Sequence, residues 1–199
     1  MGDVIHEQSR FAEGWKSGLP ETPCGAGSTL ANTRAQRKML PGLFRQYAIT
    51  SVADIGAGDL NWIRHVPMDG IEYIPLDLVP RVPEVTAFDL VREVPPRVDL
   101  ILCLWVLNHL PFEDCRAALA NLKASGARWL LMTDRPMWHH EQPPEIQMVP
   151  IEELILNPKT GDRIILVRLG AADVGSPDAV DNGNAHGVAE FDDGGCAHI

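Results

Sequence analysis

The feature that most constrains the fold is a short apolar segment that stops on two glycines. Residues 51–55 read Ser-Val-Ala-Asp-Ile, a pattern that favours a buried β-strand, and Gly56-Ala57-Gly58 follow at once. Residues 60–66 behind them are compatible with a helix. Because glycine has no Cβ, a ligand can approach the backbone of such a loop closely. Backbone N–H groups at the start of the following helix would donate hydrogen bonds to the polar atoms of that ligand.

The loop departs from a dinucleotide-binding fingerprint at its third glycine. Asn61 stands where that glycine would be, and Trp62 follows it. The third glycine lets the helix pack tightly beneath a pyrophosphate. Its absence favours a nucleoside ligand without a pyrophosphate. A tight turn with no ligand is the alternative, because Gly-x-Gly by itself is weak evidence.

Strand and helix patterns alternate from residue 50 onward. Seven apolar segments predict strands, at residues 51–55, 71–76, 85–88, 98–104, 128–133, 151–156 and 163–169. Helices are predicted from Ser28 or Thr29 to Met39, from Pro41 to Tyr47, over 60–66 and over 112–124. Turn residues at 157–162 predict that the last two strands pair as a hairpin. The predicted class is α/β: a Rossmann-like, doubly wound, mostly parallel sheet with an antiparallel C-terminal hairpin at its edge.

The chain divides into three parts by composition. Residues 1–28 form an irregular leader rich in Gly and Pro, residues 29–170 carry the strand–helix pattern, and residues 171–199 predict a disordered acidic tail. The leader, with Trp15 as its large apolar anchor, is a possible lid over a ligand bound at the glycine loop.

The charge balance argues against duplex nucleic acid as a partner. The chain has 27 acidic and 17 basic side chains and a net charge of −10. Six acidic residues and no Lys or Arg fall in 171–199, so residues 1–170 carry −4. Such a body lacks the basic surface that affinity for a phosphate backbone requires.

The remaining composition indicates a cytoplasmic protein with no metal site. The start of the chain has no signal-peptide pattern, and no apolar run approaches the roughly 20 residues of a membrane-spanning helix. The four cysteines lie far apart without a Cys-x-x-Cys pair, which disfavours both a disulfide framework and a structural zinc.

Polar residues follow three of the predicted strands. Asp77 lies 19 residues after Gly58. In this class of fold, an acid about 20 residues after the glycines can accept hydrogen bonds from both ribose hydroxyls of a nucleotide. The alternative is that Asp77 caps a turn before Pro80. Asp89 could accept from an exocyclic amine, with Phe88 or its neighbour against the aromatic ring. A helix cap and a core Phe explain the same pair. Asn108 and His109 also stand at a strand's carboxyl end.

In their order, these motifs resemble those of the class I S-adenosylmethionine-dependent methyltransferases, over residues 51–133. The 25–33 segment is similar to one in small phage and bacterial members. The resemblance implies S-adenosylmethionine as cofactor. The residues it implies for the cofactor are Asp54, Gly56, Ala57, Gly58, Asp77, Leu78, Phe88, Asp89 and Leu104. Leu104-Trp105 replaces the Asn/Asp-Pro-Pro-Tyr of the amino-methylating DNA enzymes, which counts against that activity.

Candidates for the acceptor side lie after the fourth and fifth strands. His109 is either a general base or a cap of the strand–helix junction. Trp105, Asn108 and Trp138 are the substrate-side candidates, although packing also explains the two tryptophans. His139-His140-Glu141 form a further polar cluster, but two adjacent His side chains point in different directions in an extended chain, so no metal is predicted without a third ligand.

Three functions fit the sequence. The first is in-line methyl transfer from S-adenosylmethionine to a small-molecule or nucleotide-type acceptor. The second is a non-catalytic module that binds the cofactor or a partner. The third is a nicotinamide-dependent oxidoreductase, which the missing third glycine disfavours.

Overall fold

The computed structural model describes residues 20–134, 150–156, 163–169 and 189–190. Two α-helices, α1 (Arg34–Gln46) and α2 (Phe112–Ala124), lie in this part of the chain. Its strands are β1 (Ser51–Ile55), β2 (Glu72–Asp77), β3 (Thr86–Ala87), β4 (Leu100–Cys103), β5 (Trp129–Asp134), β6 (Pro150–Leu156), β7 (Arg163–Arg168) and β8 (Ala189–Glu190).

The strands form one mixed sheet in the order β3-β2-β1-β4-β5-β7-β6-β8. Strands β1 to β5 pair in parallel, and β7 runs antiparallel to both of its neighbours. The chain winds outward from β1 to β3 and then returns through β4 to β5 on the other side. The carboxyl ends of β1 and β4 thus form a topological switch point, where open α/β sheets bind ligands. The predicted fold class is confirmed.

The C-terminal hairpin is confirmed, and it extends the sheet beyond the parallel strands, as predicted. Within the hairpin, β7 lies beside β5 and the earlier strand β6 lies outside β7, so the two strands stand in the reverse of their chain order. The predicted turn at 157–162 lies outside the described residues. Within the predicted tail, Ala189–Glu190 pair in parallel with β6.

Each face of the sheet carries one apolar core. Side chains of α1 pack on one face with Val52, Leu100 and Leu102, and those of α2 pack on the other with Ala53 and Ile101. Alternate residues of β1 and β4 serve opposite faces, as the pleat of a strand requires. The apolar runs of β4 and β5 are buried on both faces, which is typical of central parallel strands.

The N-terminal helix is one element where the sequence predicted two. α1 begins after Thr33, rather than after Ser28 or Thr29, and it continues through Pro41. An internal proline costs about 3 kcal/mol through its missing N–H and its ring. Burial of Leu40 and Phe44, at roughly 1.5–3 kcal/mol each, outweighs that cost.

The predicted helix over residues 60–66 is wrong. Leu60 has a left-handed backbone with φ of 62°, and only a 3₁₀ turn, Ile63–His65, follows. Leu60, Ile63 and Val66 are all buried, and their spacing of three matches the 3₁₀ period. Pro67 then holds Val66 extended, which ends the turn.

The amino ends of the central strands are tied together by Asp99. Its carboxylate accepts hydrogen bonds from the Thr50 N–H and hydroxyl, both at 2.8 Å, and from Arg128 at 3.1 Å. Burial tends to raise the pKa of Asp99, but these bonds outweigh it and hold the pKa below its usual value. In the described part of the chain, no helix is both long and apolar enough to cross a membrane.

Candidate functional site

The glycine loop follows the carboxyl end of β1 and is exposed at Gly56. The Gly56 and Ala57 N–H groups donate to the Leu76 carbonyl at 2.9 and 3.1 Å, which ties the loop to β2. Gly56 is exposed and has a left-handed φ of 84°, and a Cβ there would overlap the Val106 side chain. Both the backbone conformation and the contact therefore require glycine at this position.

Asp77 ends β2 directly beside that loop. Its Oδ2 accepts the Gly58 N–H at 2.8 Å, and its Oδ1 accepts the Val79 N–H at 2.9 Å. An ionised carboxylate offers about four acceptor positions, so each oxygen keeps capacity for another donor. Asp77 is half-buried, as is Leu78 behind it. The loop and the acid, 19 residues apart in sequence, are in direct contact.

Asp54 lies beneath the loop, inside the sheet. It is 4% exposed, and the Tyr73 hydroxyl donates to its Oδ2 at 2.6 Å. Burial is the main reason that the pKa of Asp54 rises from 3.8 to about 6, and the charge of Asp77 adds to the rise, while the Tyr73 bond opposes it. Burial of the Tyr73 hydroxyl, followed by the Asp54 charge and the hydrogen bond to it, raises the pKa of Tyr73.

The pair at the end of β3 has structural partners. The Phe88 side chain is 9% exposed and belongs to the core on the α2 face. Asp89 begins a turn: its Oδ1 accepts the Val91 N–H at 3.0 Å, and its Oδ2 lies 3.5 Å from Arg92 Nε. These contacts are those of a core Phe and a turn cap. A further contact with an adenine stays a prediction for both residues.

The segment after β4 reaches the glycine loop through Val106. Trp105 before it has a left-handed φ of 61°, and its N–H donates to the Thr133 hydroxyl at the end of β5, at 3.1 Å. Such a conformation is strained for a tryptophan and persists only where the surroundings hold it.

Two polar candidates, Asn108 and His109, lie in the 3₁₀ turn Leu107–His109. Asn108 Oδ1 is buried without a hydrogen-bond partner. Leu104 before the turn is half-buried against the core on the α1 face. These candidates from β4 therefore stand at the same edge as Gly56 and Asp77.

Three of the predicted features cannot be placed relative to the loop. Trp138 and His139-His140-Glu141 lie outside the described residues, as does Trp15. Among the residues that the structure describes, no group of three or more His, Cys, Asp or Glu side chains could hold a metal ion.

Sequence reasoning missed four residues around the loop. Tyr73 and Val106 carry no recognisable motif, and their contacts with Asp54 and Gly56 arise only from the sheet order. Glu21 and Cys24, in the leader, contact Asn61 and Gly58 respectively. Only the departure at Asn61 could have pointed to them, because that residue is what binds Glu21.

No protein-family model matches the sequence, and no curated protein matches it either. Solved structures do match the fold. The N-methyltransferase NodS from Bradyrhizobium japonicum, in complex with S-adenosylhomocysteine, is 14% identical with a TM-score of 0.57; the match covers 81% of this chain and 96% of that one. Magnesium protoporphyrin IX methyltransferase (ChlM) from Synechocystis, with bound S-adenosylmethionine, is 14% identical with a TM-score of 0.51, over 83% and 91% of the two chains.

A longer protein shares the same unit. The pyocyanin biosynthetic protein PhzM is 15% identical with a TM-score of 0.53, over 69% of this chain and 55% of that one. The present chain thus spans about half of the length of PhzM but almost all of NodS. At identities this low, the structural matches establish the fold alone. The chain therefore has the Rossmann-like fold of the class I S-adenosylmethionine-dependent methyltransferases.

Proposed function

We propose that this protein is an S-adenosylmethionine-dependent methyltransferase that acts on a small-molecule or nucleotide-type acceptor. The observation that carries the proposal is the contact between Gly58 and Asp77 at the switch point of the sheet. It joins a glycine loop that is exposed at Gly56 to a carboxylate that has acceptor capacity left, which is what a nucleoside with an amino-acid arm needs. When bound, the cofactor supplies an activated methyl group on a sulfonium.

The residues present fit that cofactor. Asp77 is oriented by two backbone N–H groups and would accept the ribose hydroxyls. Gly56 is exposed and carries no side chain, so the amino-acid arm would lie against the peptide itself. The buried Asp54 would add a negative charge below the arm's ammonium group.

The chain's task in the reaction is mainly positioning. Methyl transfer from a sulfonium needs the nucleophile held in line with the methyl group, and such alignment supplies much of the acceleration. Trp105 and Asn108, at the end of β4, would form part of the acceptor pocket. His109 would take a proton from the acceptor where one must leave.

The net negative charge of the chain favours a small acceptor over a nucleic acid. The body of the chain is acidic, whereas phosphate-backbone binding requires a basic surface. The magnesium protoporphyrin IX methyltransferase that shares the fold acts on a small molecule. The small phage and bacterial subtype, suggested by the 25–33 segment, is part of the same proposal.

Calorimetry with S-adenosylhomocysteine and with NAD tests the cofactor. We expect S-adenosylhomocysteine to bind and NAD not to. Asp77→Ala should weaken binding more than tenfold, or about 1.4 kcal/mol, since hydrogen bonds to a charged group are worth roughly 1.5–3 kcal/mol each. Glu72→Ala is the matched control, because Glu72 is an exposed acid at the opposite end of β2. Binding of NAD alone would overturn the proposal.

Labelled S-adenosylmethionine then tests catalysis. Incubation with fractionated cell extract should transfer label to a small-molecule or nucleotide fraction. Cofactor binding without label in any fraction would instead identify a non-catalytic module.

A further inference from the structure

The leader contributes a segment that is fastened to the glycine loop. We call residues 20–33 the N-terminal strap. The fastener is Asn61, whose Nδ2 donates to Glu21 Oε1 at 2.8 Å and to the Ser28 carbonyl at 3.0 Å. The same Glu21 oxygen accepts the Leu30 N–H at 2.6 Å. The Leu30 bond and then the Asn61 bond hold the pKa of Glu21 below its usual value, so the carboxylate is ionised at neutral pH.

The strap touches the loop itself through Cys24. A Cβ placed on Gly58 would lie 2.8 Å from Cys24 Sγ, so the thiol packs directly on the glycine. The sulfur also accepts the Asp59 N–H, and the Cys24 N–H donates to the Thr22 hydroxyl at 3.1 Å. Burial, followed by the charge of Asp59, raises the pKa of the Cys24 thiol.

Gly58 is thus held from two sides. The strap packs on its Cα, while its N–H donates to Asp77 Oδ2. Its left-handed φ of 61° is available to glycine at low cost, which leaves the loop free to move unless neighbours restrain it. The usual restraint, a long helix that starts behind the loop, is absent, because Leu60 turns left-handed and only a 3₁₀ turn follows.

We propose that Asn61 is a positioning residue for cofactor binding, which acts by fastening the N-terminal strap over the glycine loop. The strap fixes Gly58, and Gly58 orients the Asp77 carboxylate toward the ribose. Asn61 itself need not contact the cofactor. The inference rests on the proposed function, since it concerns the same site.

The coupling is reciprocal. If the fastened strap raises the affinity for the cofactor by some factor, the bound cofactor must stabilise the fastened strap by that same factor. Alkylation of Cys24 reports strap release, because the thiol is half-buried against Gly58 and has a raised pKa while the strap is fastened. Cys103 and Cys115 are 1% and 4% exposed and should react slowly. A Cys196→Ser background removes the fourth thiol.

The test combines calorimetry with iodoacetamide labelling of Cys24 in the full-length chain. Asn61→Ala should raise the Kd for S-adenosylhomocysteine about three- to tenfold and speed labelling by a similar factor. Saturating S-adenosylhomocysteine should slow labelling in the parent protein. Asn61→Asp, which keeps the shape but sets a carboxylate against Glu21, should be at least as damaging as Asn61→Ala.

Two variants separate positioning from general destabilisation. Asn61→Asp combined with Glu21→Gln reverses donor and acceptor across the contact, so it should recover part of the lost affinity. Arg64 lies three residues after Asn61 and forms an exposed ion pair with Glu84. Arg64→Ala breaks that pair and should change neither the Kd nor the labelling rate. If the parent protein binds S-adenosylhomocysteine but Asn61→Ala leaves the Kd and the labelling rate unchanged, the inference is overturned. The proposed function is upheld in that case. If the parent protein does not bind S-adenosylhomocysteine, the proposed function fails and the inference fails with it.

Discussion

Replacing Asp54 with Asn should stabilise the protein at neutral pH. Asp54 is 4% exposed on β1, and Tyr73 donates to it at 2.6 Å. An Asn at this position keeps a carbonyl oxygen for the Tyr73 hydroxyl and nearly the same shape. It removes the negative charge that burial penalises.

The size and sign of the effect follow from the pKa of Asp54. That pKa is 3.8 without the fold and about 6 within it, mainly because burial disfavours the charged form. The folded state therefore binds the proton more tightly, and stability falls as pH rises from about 4 to about 6. At 1.36 kcal/mol for each pKa unit, the ionised Asp54 costs about 3 kcal/mol at pH 7.5 and about 1 kcal/mol at pH 4.5.

Urea unfolding followed by tryptophan fluorescence measures the difference. The free energy of unfolding of Asp54→Asn should exceed that of the parent protein by about 3 kcal/mol at pH 7.5 and by about 1 kcal/mol at pH 4.5. The denaturant slope should not change. Asp99→Asn is the opposite control, because the pKa of Asp99 is lowered in the fold. That variant should be destabilised, and more so at pH 7.5 than at pH 4.5.

A destabilised Asp54→Asn at pH 7.5, or a difference that does not vary with pH, would refute the reasoning. If Asp54 also serves the cofactor's ammonium group, the stabilised variant should bind S-adenosylhomocysteine more weakly. Functional sites commonly trade stability for activity in this way.

Three further predictions concern the rim and the C-terminal segment. Gly56→Ala should lower the Tm by roughly 4 °C or more, because alanine adds about 1–2 kcal/mol of left-handed strain and overlaps with Val106. Adding Val106→Ala should restore part of the lost Tm. An unchanged Tm in Gly56→Ala alone would contradict the geometry. Thr133→Val removes the acceptor for the Trp105 N–H and should cost about 1 kcal/mol in urea unfolding, whereas no loss would mean that this bond does not hold the segment after β4. Deleting residues 171–199 should shift the Tm by no more than about 2 °C, since only Ala189–Glu190 pair with the sheet among the described residues, and a large drop would show that the segment packs on the body.

The elements that the sequence predicted well are those with local signals. α2 begins and ends where the spacing of Cys115, Ala118, Leu119 and Leu122 placed it, because those four residues form one buried face. β4 was readable as a buried strand from its continuous apolar run. Gly58 and Asp77 could be paired in advance, since parallel strands end at one edge and the distance between the two residues fits one crossover.

The elements that it predicted poorly depend on contacts between distant residues. The sequence at 60–66 is compatible with a helix, but burial of Leu60, Ile63 and Val66 in the α1-side core favours a 3₁₀ turn. Pro41 reads as a helix start, yet α1 runs through it because the buried face continues on both sides. In both cases tertiary packing outweighed local propensity.

The site shows the same division. Asp54 and Gly56 were recognisable from a motif, whereas Tyr73 and Val106 became neighbours of those residues only through the order of the strands. Asn61 was readable as a departure from a pattern. Its partners, Glu21 and Ser28, lie 40 and 33 residues away in the chain, and no sequence pattern linked either of them to Asn61.

The insertion of β7 between β5 and β6 has a consequence for synthesis on the ribosome. A growing chain completes β5 at residue 134, but the strand that pairs with β5 begins only at residue 163. Until then the N–H and C=O groups on that side of β5 lack their final partners, and unpaired edges of apolar strands invite intermolecular association. Translation products that stop between these two points should therefore aggregate or require a chaperone, whereas products that extend past residue 168 should not.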